Sequence, residues 1–320
     1  MGWRLAAFIG RRLLYLIPIV LVVTALTSAL GAMLPGDVAV SMLGTQATPA
    51  KVAALQHQLG LDLPLWRQYA NWLGGLITGD FGVSYRTGEP VLSAIAQRLP
   101  VTAELMALAE LGALALGVPL GMLCAARRDT AVDRLVTAGA FGMLSMPPYL
   151  LAVVLTYFLA VLWGVLPSSG YVPLADAPLA NLRSMALPVL SLALVEWPPL
   201  ARVLRSDMIT TLRQDFVLMA RAKGLSPLRI LFVHALKPSS LALVTVIGLN
   251  LGRLIGGAVI VEVIFGLPGI GQMLVDATLT RDFITLQGGV VFVTLGFVLI
   301  NITVDMLYAV LDPRVRHGSA

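Results

Sequence analysis

Charge, cysteine, histidine and lysine are all scarce in this chain, and each scarcity removes a class of function. Only 12% of the 320 residues are charged, where a soluble globular domain carries about 25%. The single cysteine, Cys124, excludes an internal disulfide and any multi-cysteine metal site, and reads as a small buried apolar residue. The three histidines, His57, His234 and His317, fall in separate segments without an HExxH or other paired spacing, so the sequence offers no metal centre. No GxSxG-like elbow with a positioned histidine is present, which argues against a serine hydrolase within the bundle. The three lysines, Lys51, Lys223 and Lys237, all lack the preceding glycine of a GxxxxGK[ST] phosphate loop. The sequence therefore offers no phosphate loop of that kind. The net charge of +5 raises the question of nucleic acid. The positive residues, however, flank apolar runs with few aromatics among them to stack bases, so no nucleic-acid partner is expected.

What is abundant is apolar sequence, at 58% of the chain. Six runs, residues 13–34, 101–124, 135–163, 185–204, 241–265 and 288–311, approach or exceed the roughly 20 residues that a membrane helix needs. The first run follows Arg4, Arg11 and Arg12 as a secretory signal would. It is longer than the 7–15 residues or so of a signal core and reads as a retained anchor. Lysine and arginine set the orientation. The N-tail, residues 125–134, residues 201–240 and the C-tail hold 3, 3, 7 and 2 of them, against 4, 1 and 1 in the alternate segments. The positive-inside rule then puts both termini in the cytoplasm. The expected fold is all-α: a polytopic membrane bundle of six transmembrane helices. Its segments are a tail and first helix (1–34), an external segment (35–100), a five-helix core (101–313) with a cytoplasmic loop at 206–240, and a short tail (314–320). Ser84 and Asp176 then lie outside and Ser226 inside.

Within the external segment, Thr48-Pro49 opens a helix over 48–59, and residues 65–76 form a second, amphipathic one. Its Trp66, Tyr69 and Trp72 suit the headgroup level, or equally plain packing. Pro35-Gly36-Asp37 and Gly79-Asp80-Phe81-Gly82 are turns. Prolines at 18, 119, 147, 148, 188, 198 and 199 are expected to bend spans where neighbours satisfy the freed carbonyls.

Ionisable residues inside the spans each cost about 2.5–3.5 kcal/mol at the bilayer centre on insertion scales, so they must face protein or water. They are Glu104, Glu110, Glu196, Arg253, Glu262 and Asp305. At 1.5 Å rise per residue, Glu196 and Arg253 reach similar depths and can pair, with Glu110 a competing partner. Such a pair serves as structural glue or as substrate contact. Glu104 and Glu262 fall near the outer ends, where hydration is expected. Asn250, Arg253 and Gly257 recur three and four apart on one helical face, which either lines a cavity or lets helices approach closely.

The segment 215–237, DFVLMARAKGLSPLRILFVHALK, is a basic island between two apolar runs, with Asp215 its one acid. Phe216, Met219 and Ala220 share a helical face, Gly224 supplies a left-handed stop after Lys223, and Pro227 opens a second helix. That reads as helix, tight turn, helix, although an ordinary basic cytoplasmic loop has the same composition.

The segment resembles the EAA loop by which the membrane subunits of ABC importers dock on their ATPases. Ala220, Gly224 and Leu236 match that pattern. Leu218 and Met219 stand for its first two letters, His234 for its isoleucine and Lys237 for its proline. ARAKGLS at 220–226 followed by HAL at 234–236 is similar to the version in the dipeptide, oligopeptide and nickel importer family. The resemblance extends to Leu59-Gly60-Leu61-Asp62, Gly79-Asp80-Phe81-Gly82 and residues 100–105. It continues through Gly256-Gly257, Glu262, Phe265, Pro268-Gly269, Gly271, Arg281-Asp282, Gln287-Gly288, Asn301, Asp305, Tyr308-Ala309 and Asp312-Pro313-Arg314.

It implies a multi-pass permease subunit of the bacterial inner membrane, not itself an enzyme, forming half of a peptide pathway. Its implied partners are a second homologous permease, two ATPase subunits or domains that bind the ATP and Mg, an extracytoplasmic substrate-binding protein and membrane lipid. It implies ATPase coupling through Phe216, Met219, Ala220, Arg221, Ala222, Lys223, Gly224 and Leu225, and a pathway or gate at Asn250, Arg253, Gly257, Glu262, Pro268 and Gly269. Nickel or metal chelates and glutathione-like solutes are alternative cargoes. An ion-coupled secondary transporter using Glu110, Glu196 and Arg253 as a proton relay is the rival from another class.

Overall fold

A computed structural model describes Leu14, residues 17–29 and residues 38–311. The N-terminal arginines, the turn at Pro35-Gly36-Asp37, the side chains of Asp305 and Tyr308, and the C-terminal Asp312-Pro313-Arg314 lie outside the described residues. Among those described, every regular element is helical, and the one strand-like pairing is an isolated bridge between Val83 and Pro90. In chain order the helices are α1 (Ile17–Ala29), α2 (Val38–Leu43), α3 (Pro49–Leu59), α4 (Leu65–Ile77), α5 (Val91–Ala126), α6 (Ala131–Leu144), α7 (Pro148–Leu155), α8 (Pro178–Thr211), α9 (Asp215–Ala222), α10 (Pro227–Arg229), α11 (Leu236–Ser239), α12 (Leu241–Phe265), α13 (Ile270–Thr280) and α14 (Phe283–Leu311). α5, α8, α12 and residues 283–304 of α14 are long and apolar enough to cross a membrane. The α6–α7 pair passes the same test as one bent span, while α1 is apolar but shorter.

The third apolar run does not form one straight helix. It breaks at Ser145–Pro147, and the two halves differ in direction by 102°. Pro147 is extended and caps α7, and Pro148 takes the first helical position, where a missing N–H costs nothing. The other described prolines do not break their helices. Pro119 sits within α5, and Pro188, Pro198 and Pro199 within a continuous α8.

The described residues group into two units. In the first, drawn from residues up to 101 and from 268–298, α3 begins as its Thr-Pro signal predicts: the Thr48 side chain accepts from the Lys51 N–H, and Gly60 ends the helix at φ +68°. The aromatic row of α4 divides. Trp66 is exposed with the Arg67 guanidinium 5.1 Å from its ring, whereas Trp72 is buried and Tyr69 meets Thr24 of α1 at 2.9 Å. Only Trp66 is free for a headgroup layer. Ser84, which the sequence places in the external segment, is buried within it: its hydroxyl donates to Asp282, which also accepts from the Tyr85 N–H and the Thr285 hydroxyl. That carboxylate pins the loop before α5 to the start of α14. Burial, and then the Asp282 charge, raise the Tyr85 phenol. Val91, Ala94, Ile95, Ile270 and Met273 form the apolar centre of this unit.

In the second unit α8 runs between α5, α6, α7 and α12. Membrane helices gain little from burying leucine against leucine, since lipid is equally apolar, so close approach through small residues decides the packing. α5 presents glycines to α8. A Cβ at Gly117 would lie 2.9 Å from the Leu200 Cβ, and one at Gly121 would lie 2.8 Å from the Ala201 carbonyl oxygen. Gly248 of α12 is closer still to α14, where an added Cβ would lie 2.3 Å from the Val304 side chain. Trp197, Leu200, Leu204 and Met208 of α8 fill the centre.

Candidate functional site

The basic island folds as helix, tight turn, helix. α9 stops at Lys223 because Gly224 turns left-handed at φ +75°. The Leu225 N–H then bonds back to Ala220 O at 3.3 Å and the Gly224 N–H to Arg221 O at 2.9 Å, which satisfies the last carbonyls as a Schellman motif does. Ser226 caps the next turn by accepting from the Arg229 N–H, with Pro227 first in α10. Residues 230–235 continue in wide π-helical turns before α11. A buried contact between the Thr211 and Ser239 hydroxyls, 3.0 Å, ties the end of α8 to α11. The loop thus leaves and re-enters the bundle at one fixed place.

The expected shared face of Phe216, Met219 and Ala220 is corrected. Ala220 is buried with Val217 against Ile230, Leu212 and Leu225, because the inward face of so short a helix centres between positions 217 and 220. Phe216 is 42% and Met219 59% exposed, and with Leu218 they form an outward apolar patch. Arg221, Ala222, Lys223 and Gly224 are exposed beside it, and Leu225 is half-buried. Arg221 in the last turn of α9 also complements the helix dipole.

Deeper in the bundle, Arg253 donates to Glu196 Oε2 at 2.9 Å and, through the same nitrogen, to the Asn250 side-chain oxygen. The Asn250 amide donates to the Glu196 backbone carbonyl at 3.3 Å. Glu196, not Glu110, is therefore the arginine's ion-pair partner. Glu110 is buried beside the Asn250 side chain, close enough to feel the charges of both. Gly257 packs on Leu192, where a Cβ would come within 3.1 Å, so on this face the glycine serves close packing. Arg253 alone of the three is strongly exposed, at 54% of its side chain.

Hydration of Glu104 and Glu262 is also corrected. Glu262 is wholly buried and accepts from the Thr102 hydroxyl at 2.7 Å. Glu104 accepts from the Tyr171 hydroxyl at 2.8 Å, and the Gly170 N–H reaches Phe265 O at 3.0 Å, so the loop before α8 is latched to the first half of α5 and to the end of α12. Burial, and then the bond to Glu104, push the Tyr171 phenol to about 12, so it remains a donor at any physiological pH. Pro268 is exposed and Gly269 buried at the start of α13.

Two features escaped the sequence reading. α13 was missed, although Ile270, Met273, Leu274 and Ala277 follow helical spacing. The second is a bidentate pair in which Arg205 reaches both oxygens of buried Asp133, at 2.7 and 2.6 Å. Asp133 lies within the segment 125–134, which the sequence marks only by its three arginines.

The family described as "Binding-protein-dependent transport system inner membrane component" matches residues 117–317, and its N-terminal counterpart matches residues 5–106. A protein of Brucella abortus named for a peptide transport system permease is 41% identical over 98% of this chain and 100% of its own length. The dipeptide transport system permease protein DppB of Escherichia coli is 36% identical over 97% of this chain and 98% of its own. An inward-facing structure of the MetNI methionine ABC transporter has a chain with TM-score 0.58 to this one at 18% identity, covering 70% of this chain and 99% of that one. That likeness shows a shared fold.

Proposed function

Because this chain belongs to the binding-protein-dependent transport system inner membrane component family, we propose that it is the permease subunit of an ABC importer for peptides. In this reading it forms half of the translocation pathway in a bacterial inner membrane, with six spans and both termini cytoplasmic. A second similar permease, two ATPase subunits or domains and an extracytoplasmic binding protein complete the importer. ATP and Mg are bound by the ATPases, and this chain catalyses no reaction.

The observation that carries the reading is the outward patch of Phe216, Leu218 and Met219 on α9, held rigid from behind by Val217 and Ala220 and rimmed by Arg221 and Lys223. An apolar helix face set in a groove of a partner transmits that partner's movement to the bundle, and the Thr211–Ser239 tie passes it to α8. Arg253 forms part of the pathway wall, its charge balanced by Glu196, so charged peptide ends meet no uncompensated guanidinium. Met219→Glu puts a charge into the proposed interface while leaving the inner face of α9 untouched. It is expected to abolish peptide-stimulated ATP hydrolysis by the purified importer. Full stimulation in that variant refutes the docking role.

A further inference from the structure

We propose that the cleft between α6 and α8 binds one anionic phospholipid, with its phosphate on Arg202 and an acyl chain along Phe141, Leu144 and Trp197. The cleft encloses about 190 Å³, more than the engineered cavity of about 150 Å³ that accommodates benzene, so it takes several methylene groups. Its lining is graded. Along α6 the residues pass from Val136 and Thr137 through Ala140 to Phe141 and Leu144. Along α8 they pass in the same sense from Arg205 and Arg202 to Pro198 and Trp197. A cationic rim above an apolar trough is the complement of a phospholipid with a negative headgroup.

Arg205 is already neutralised by its two bonds to Asp133. Arg202, which lines the cleft, is exposed and has no ion-pair partner among the described residues. An unpaired guanidinium beside an apolar trough fits an anion with a tail better than it fits an apolar helix of another subunit, which would strand the charge.

The inference rests on the reading that this chain spans a bacterial membrane with this basic end in the cytoplasmic leaflet. Labelling of Ser226→Cys from the inside alone checks that orientation separately. The test uses the assembled importer in phosphatidylcholine nanodiscs doped with acyl-brominated phosphatidylglycerol or, in parallel, with acyl-brominated phosphatidylcholine. The Trp197 signal is taken as the difference between the parent complex and its Trp197→Phe variant. Phosphatidylglycerol is expected to quench Trp197 at about fivefold lower lipid fraction, equivalent to about 1 kcal/mol for one basic side chain. Arg202→Gln is expected to bring the two lipids level. Native mass spectrometry gives a readout independent of Trp197: one phosphatidylglycerol is expected to stay with each parent copy and to be lost with Arg202→Gln. Equal quenching by the two lipids overturns the proposal, as does retention of the lipid without Arg202. So does a Trp197 that lipid reaches in the isolated chain but not in the complex, which would give the cleft to a partner subunit.

Discussion

Arg253→Ala removes the guanidinium from a carboxylate that stays behind. Glu196 is about nine-tenths buried, with a side-chain exposure of 10%, and Arg253 is its ion-pair partner. Asn250 also loses the donor to its side-chain oxygen. Removing one partner of a fully buried pair costs about 3–5 kcal/mol. Here half of Arg253 is exposed, so water can replace part of what the guanidinium supplied, and about 1–3 kcal/mol is expected. At about 2–4 °C per kcal/mol for a chain core of this size, the apparent Tm of the detergent-purified importer falls by several degrees and the yield of assembled complex drops. The double change Arg253→Ala with Glu196→Ala removes the stranded charge along with its partner and recovers most of that loss, a coupling that a double-mutant cycle reads directly. A single mutant that assembles and melts like the parent while shifting preference between anionic and cationic peptides refutes the structural role of the pair. It would make Arg253 a substrate contact.

Two other perturbations separate coupling from architecture. Gly224→Val puts a β-branched residue at φ +75°, where nothing lies within 4 Å of the added Cβ, so the penalty is the left-handed backbone alone, about 1–2 kcal/mol. The α9 turn should loosen, with assembly by size exclusion unchanged and peptide-stimulated ATPase activity sharply reduced; unchanged stimulation would show that the turn geometry is irrelevant. Asp282→Ala strands the donors of Ser84, Tyr85 and Thr285, costs roughly 1–3 kcal/mol, and should speed tryptic cleavage after exposed Arg86. Parent-like cleavage would show that the loop is held by other contacts.

Elements fixed by local chemistry were legible in the sequence. Gly224 stops α9 and Thr48 caps α3, because caps and left-handed stops depend on a few neighbouring residues. The Glu196–Arg253 pair was legible because helical rise fixes depth and the cost of an intramembrane charge demands a partner. Sequence could not rank Glu196 above Glu110, since that depends on how α5, α8 and α12 are rotated. Nor could it distinguish Pro147-Pro148, where the chain bends by 102°, from Pro198-Pro199, which a continuous α8 carries inside a packed core. Neighbouring helices decide which freed carbonyls are satisfied, and no local signal records that. Ala220 turned inward for a comparable reason: its burial follows from where Ile230 packs, not from α9 itself.

The central claim, that this chain serves an ATP-driven importer, is tested most directly by measuring radiolabelled dipeptide uptake into proteoliposomes. These would contain the complete importer, lumenal ATP and external binding protein, with either vanadate or a protonophore added. Uptake that stops with vanadate and continues when the proton gradient is collapsed is the predicted result. Uptake that continues with vanadate and stops with the protonophore would contradict the account and turn Glu110, Glu196 and Arg253 into the relay of an ion-coupled carrier.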